Sequence, residues 1–246
     1  MTPTETILLQ PQRQGVIRSS DGLDPVILFV MKDSIYKSLG LDCYDEARDA
    51  RTYAGNAPVV AHPPCQLWGK FAKVNYKRWG GEHNKPGNDG GCFRFALDAV
   101  NRCGGVLEHP AESYAWPTYG LHYPDRRGGW RRSGKGWTCE VWQSAYGHRA
   151  RKRTWLYCAG TDQPLEPNWT RPDGTHQIGG HDQRGKARNK PTLGRREANA
   201  TPPSFAHWLV ELARACATGS NLEVSDRRTV AGTKRQPEQT GGGSLD

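Results

Sequence analysis

VVAHPPCQLWG, Val59 to Gly69, runs an apolar, β-branched stretch into two prolines and sets Cys65 directly beyond them. Proline fixes φ and removes a backbone donor, so a strand must stop at Pro63 and hand the thiol to the space past its carboxyl end. In open α/β sheets that space is the crevice that holds ligands. Working outward, PVILFV at 25–30 reads as a first buried strand. A short helix follows from Asp33 or Ser34 as N-cap through Leu39, stopped by Gly40. LDCYD at 41–45 is a second strand and APVVAH at 57–62 a third.

The glycine-rich, basic and aromatic segment from Gly69 to Gly91 reads as a long loop. CFRFALDAVNR at 92–102 carries Phe93, Leu97 and Val100 on one helical stripe, and GGVLEHP at 104–110 is a strand that delivers Glu108 to its carboxyl end. TCEVWQSAYG and RTWLYCAG have the pattern of an antiparallel pair, and PPSFAHWLVELARACA at 202–217 that of an amphipathic helix. Strands alternating with helices predict a Rossmann-like, doubly wound α/β sheet in a single domain over 23–217, with long basic loops. Residues 1–22 and 218–246 are polar, lack a sustained period and are expected to be disordered tails.

With 246 residues, 35% of them hydrophobic, the chain can bury one sizeable core. No run approaches the length of a membrane span and the first residues lack signal-peptide order, so the expectation is a soluble, cytoplasmic protein with no membrane partner. The seven cysteines are odd in number, widely spaced and free of CxxC pairs, which predicts reduced thiols. His62, Cys65, His83 and Cys92 fit no common zinc spacing, and no metal is expected. The formal charge of +9 is uneven: residues 126–199 hold 16 Lys or Arg against 6 Asp or Glu. Trp130, Trp137, Trp142, Tyr146 and Trp155 are interleaved with those cations, a mixture suited to a phosphate backbone with bases to stack on.

Three motifs in one order carry a resemblance to the cytosine-5 DNA methyltransferases, over roughly 59–158. HPPCQ resembles their Pro-Cys-Gln nucleophile loop, VLEHP their Glu-Asn-Val segment with His109 at the Asn position, and YGHRARKRTWLY their Gln-x-Arg-x-Arg strand. The chain also resembles short phage-encoded proteins of this type, which implies a bacterial host cell. The resemblance implies a methyltransferase-type sheet, Cys65 as nucleophile, Glu108 as catalytic carboxylate and Arg151 with Arg153 as paired arginines. Gln66, Trp68, Arg149 and Lys152 are then expected on DNA, the implied partner.

The chemistry suits those residue types. Cytosine carbon 5 is a poor nucleophile, so a thiolate is added to carbon 6 to push electron density onto carbon 5, which requires a cysteine in a positive field. A carboxyl group holds the exocyclic amine and ring nitrogen 3, best with a pKa raised by burial, and arginine binds the 2-oxygen. The base must leave the duplex, and the Gly69–Gly91 loop is placed to cover it or fill the gap.

The resemblance also implies S-adenosylmethionine as cofactor, beyond the first strand at Phe29, with Asp42, Asp45 or Glu46 near its ribose. Here the family pattern is broken. Its Phe-x-Gly-x-Gly turn is replaced by ILFVMKDSIYKSLG, whose side chains obstruct close approach of the cofactor. Three functions therefore follow: a cytosine-5 methyltransferase; a pyrimidine-modifying enzyme using another donor or a free nucleotide; or a non-catalytic DNA-binding or anti-restriction protein on a decayed fold.

Overall fold

The first strand, β1 (Val26–Leu28), leads through the single-turn helix α1 (Ile35–Ser38) to β2 (Cys43–Tyr44), which pairs in parallel along one edge of β1. The chain then crosses to the other edge of β1, where β3 (Val59–Ala61) also pairs in parallel. Two helices, α2 (Ala72–Trp79) and α3 (Cys92–Cys103), carry it to β4 (Gly105–Pro110), parallel to β3. After the short α4 (Ala115–Thr118), the strands β5 (Arg131–Ser133), β6 (Gly136–Trp142) and β7 (Arg153–Ala159) form an antiparallel meander. It joins the parallel half by pairing β7 against β4. The helices α5 (Arg195–Asn199) and α6 (Pro203–Val230) close the described chain. The computed structural model describes residues 23–179 and 190–230, with 218–230 given by backbone alone.

The result is a mixed α/β sheet of seven strands in the order β2-β1-β3-β4-β7-β6-β5. Strand alternation divides its side chains between two layers. Val26, Leu28, Val59, Ala61 and Leu107 pack under α3 with Phe93, Trp116 and Trp155. Ile27, Val60, Val106, Leu156 and Cys158 pack under α6. On α6 the residues Phe205, Leu209, Leu212, Ala213 and Cys216 recur at helical spacing and are fully buried. Truncating Leu209 to alanine would cost about 2–5 kcal/mol. Gly105 opens β4 at φ 122°, where a β-carbon would lie 2.0 Å from the Val59 carbonyl, so no other residue lets β4 approach β3.

Two boundaries differ from the sequence reading. Residues 69–91 are not a continuous loop: they hold α2 and a short 3₁₀ turn at Glu82–Asn84. The glycines of that segment fall at 69, 80, 81, 87, 90 and 91, leaving the run Ala72–Trp79 free of glycine and proline, and Gly80 at φ 61° ends the helix. The last helix passes Ala217 and continues to Val230, through residues that include no proline. The expected tails at 1–22 and 231–246 lie outside the described residues. Among the described residues no helix is long and apolar enough to cross a membrane.

Candidate functional site

The register of the parallel half brings the first two groups together. Ala61 pairs with Leu107, so the next step along each strand sets His62 beside Glu108, on the same face at the carboxyl ends of β3 and β4. His62 Nδ1 lies 3.0 Å from Glu108 Oε2, and its Nε2 lies 3.0 Å from the hydroxyl of the fully buried Tyr36 on α1. An ionised carboxylate only accepts, which fixes Nδ1–H as donor to Glu108 and leaves Nε2 to accept from Tyr36. Burial, reinforced by Glu108 and Cys43, raises the Tyr36 hydroxyl well above its ordinary pKa and keeps it a donor. On the other carboxylate oxygen, the buried Gln143 donates to Glu108 Oε1 at 3.2 Å while also donating to Thr154 Oγ1 at 3.0 Å. Each carboxylate oxygen retains capacity for a second donor.

Burial pulls the Glu108 carboxyl upward, but the hydrogen bond from His62, with the charge of Lys152, outweighs it and holds the group below its usual value. The expectation of a carboxyl raised by burial is thus corrected: the resting site holds a carboxylate. Cys65, mostly buried, has its thiol pushed up by burial first and by Glu108 second, while the Lys152 ammonium pulls it down. Lys152 is itself lowered by burial, with Glu108 and Cys65 opposing. Its Nζ donates to the carbonyls of Asn199 and Ala200 ahead of α6, at 3.1 and 3.0 Å. The Lys152 backbone stands at φ 22°, an outlier of the kind that persists where surrounding contacts hold it.

Behind the pair, the buried His109 hydrogen-bonds Ser113 Oγ at 2.8 Å, and burial pushes its imidazole down to about 4 against the opposing pull of Glu108.

The two arginines expected beside the thiol lie elsewhere. Thr154 faces Gln143, on the Glu108 side, so its neighbour Arg153 projects from the opposite face of β7. There Arg153 holds Glu140 through two nitrogens, at 3.0 and 2.8 Å, and Glu112 at 2.7 Å, an arrangement that raises it further above its usual range. Arg151 lies over the Trp142 ring at 4.9 Å and lines the same opposite groove. The cation of the RARKR run that reaches Cys65 and Glu108 is Lys152.

The residues expected on DNA are similarly divided. Gln66 is exposed. Trp68 is buried, donates to Asp89 at 2.8 Å and packs on Phe93 and Tyr119, so it is an anchor for the loop after Cys65 instead of a stacking surface. Arg149 pairs with Glu197 at 2.8 Å and contacts His176. Of the interleaved aromatics, Tyr146 packs on Phe205, and Trp137 donates to the Thr161 carbonyl at 3.1 Å under Arg132. Trp142 and Trp155 line the groove.

At the first turn Phe29 adopts φ 62°, the left-handed conformation that glycine normally supplies, and sets its ring edge-on to Phe95 at 6.5 Å. Asp45 accepts from Lys37 and from the amides of Ala47 and Arg48, and Lys37 first among these lowers its pKa. Asp42 is held by Arg48, and Glu46 is exposed. These residues do not fit the nucleoside of S-adenosylmethionine as the resemblance implies, since Phe29 puts a side chain at the turn where the family has glycine, and Asp42 and Asp45 are paired with Arg48 and Lys37 of their own chain. Among the described residues no group of three or more His, Cys, Asp or Glu could hold a metal ion.

Sequence reasoning missed Tyr36 and Gln143 altogether and weighed His62 only as a metal ligand. The His62 signal was present: it ends one strand as Glu108 ends the next. No protein family, no curated protein and no solved structure matches this chain.

Proposed function

We propose that the chain is a pyrimidine-base-modifying enzyme of the cytosine-5 methyltransferase type, acting on cytosine through a covalent Cys65 adduct at carbon 6. The observation that carries this reading is the largely covered Glu108 carboxylate at the strand ends beside the Cys65 loop, fixed by hydrogen bonds from His62 and Gln143; the Lys152 charge pulls down the proton affinity of both Glu108 and Cys65. The reversal of strand order at β1, with helices on both faces, supports a doubly wound sheet of that type, whose carboxyl-end crevice holds the site.

Cys65 enters as a thiol. Its proton passes to the base through Glu108, which as a resting carboxylate can take it and deliver it to ring nitrogen 3. The sulfur bonds carbon 6, and the displaced π electrons make carbon 5 nucleophilic. Once carbon 5 has accepted an electrophile it loses its hydrogen as a proton. The carbon–sulfur bond then breaks, the ring double bond returns, and ring nitrogen 3 gives its proton back through Glu108 to the departing thiolate. Lys152 favours the anionic sulfur in both directions. His62 and Tyr36 position Glu108 without touching the base.

The geometry of the first turn favours a donor other than S-adenosylmethionine, because Phe29 sets a side chain at the left-handed position where a glycine would let the cofactor approach. The test is mass spectrometry of nucleosides from the DNA and the nucleotide pool of cells expressing the wild type or Cys65→Ala. A new modified pyrimidine that requires Cys65 is expected; identical profiles from both would overturn the proposal.

A further inference from the structure

On the face of β6 and β7 opposite Glu108 lies a groove of about 730 Å³, within the range of small-ligand sites. It is lined by four arginines, Arg126, Arg151, Arg153 and Arg171, and by two glutamates, Glu112 and Glu140. Both carboxylates are engaged by Arg153, and Glu140 also accepts from the indoles of Trp142 and Trp155, at 3.2 and 2.9 Å. The acidic residues are therefore used up within the floor, where Glu140 is held below its usual pKa by Arg153 and Trp155 against burial.

Among the described residues the remaining arginines have no such carboxylate partner. Arg151 and Arg171 both lie over the Trp142 ring, 4.9 and 5.9 Å from its centroid, and Arg126 stands exposed at the rim. Two guanidiniums beside one indole concentrate positive charge at that ring, which favours an anion there. Trp155 and the half-exposed Tyr123, 5.5 Å apart, supply further ring surface in the same groove. Excess fixed positive charge beside flat aromatic faces selects a ligand that has both a phosphate and a planar ring.

We infer that this groove is a second binding site, separate from the Cys65 crevice, for a nucleoside phosphate, its phosphate held by Arg151, Arg171 and Arg126 and its base stacked on the Trp142–Tyr123 side. The inference does not depend on the chemistry of Cys65. A nucleoside phosphate can come free or as one unit of a strand, and the test separates the two sources.

Tryptophan fluorescence of the full chain is titrated with dCMP, with a twelve-nucleotide single strand and with inorganic pyrophosphate. Saturable quenching by dCMP or by the strand is expected, at least tenfold tighter than by pyrophosphate. It weakens at least tenfold in Arg151→Gln/Arg171→Gln and in Arg171→Gln alone by a lesser factor, while the exposed Arg94→Gln leaves it unchanged. Binding of dCMP identifies the free nucleotide as a ligand, and binding of the strand alone identifies a unit within a chain. Arg171 is exposed, so its variant keeps the test valid if the double variant fails to fold. Unaltered affinity in Arg171→Gln, no binding of either nucleotide probe, or equal binding of pyrophosphate and nucleotides would overturn the inference.

Discussion

The two faces of the β4–β7 junction treat charge in opposite ways. On the α6 side Glu108, Lys152 and Cys65 are partly covered, and each has its proton affinity shifted by burial and by the charge of at least one of the other two. On the far side Arg126, Arg151 and Arg171 are left in an open groove with their neighbouring carboxylates already engaged. Desolvated charges a few ångströms apart alter one another's chemistry, whereas exposed ones are screened and serve to attract. One short run, Arg149 to Arg153, supplies both faces, because the chain alternates sides as it enters β7.

The largest expected effect breaks the buried side. Cys65→Ala should reduce base chemistry to background. Glu108→Gln should lower it by about 10²–10⁴-fold, the usual range for a lost acid–base group, as followed by steady-state turnover. Full turnover in either variant would remove that residue from the reaction.

Next in size is Lys152→Met, expected to cost about a hundredfold by removing a preorganised charge. The thiol is already raised by burial and Glu108, and Lys152 is what pulls it down. Its loss should move the alkaline limb of the pH–rate profile to higher pH, and Lys152→Arg should restore part of the rate. A profile unmoved in Lys152→Met would leave the cation with its structural bonds to Asn199 and Ala200 alone.

The strands that flank the site were legible in the sequence, and its wiring was not. APVVAH and GVLEHP could be read as neighbouring buried strands because their apolar runs are continuous, and Cys65 and Glu108 could be placed at their ends. The partners of Glu108 were hidden for distinct reasons. Tyr36 looked like part of a short helix, and its contact with His62 depends on how α1 packs back on the sheet. Gln143 lies where β6 turns into a 3₁₀ segment, and its two bonds depend on the return of β7. The choice among Arg151, Lys152 and Arg153 turns on a single residue of register, which a run of like charges does not reveal. The helix α2 was concealed by glycines that bracket it.

A smaller effect concerns stability. His109 falls from an unfolded value of 6.5 to about 4, so the unfolded chain takes up a proton first and native stability is lost as the pH falls from 6.5 towards 4. At 1.36 kcal/mol per pKa unit this amounts to about 3 kcal/mol. Urea unfolding over that interval should show the loss, and His109→Gln should flatten the slope; equal slopes would place the acid sensitivity elsewhere. The smallest effect is on the open side. Arg171→Gln should alter the unfolding free energy by no more than about 0.5 kcal/mol, as for surface positions generally, because that side chain is exposed and its guanidinium lies only loosely over the Trp142 ring, at 5.9 Å. A markedly destabilised variant would make the groove a structural element instead.

The central claim is the Cys65 adduct, and it can be tested without a donor. Addition of a thiol to carbon 6 followed by protonation at carbon 5 and reversal exchanges the carbon-5 hydrogen with water. Cytosine labelled with tritium at carbon 5 is supplied in duplex DNA, single-stranded DNA and dCMP, and label release is counted for wild type and Cys65→Ala. Release by the wild type from at least one of these substrates, absent in Cys65→Ala, is the predicted result; no release from any of them, or equal release by both proteins, would contradict it.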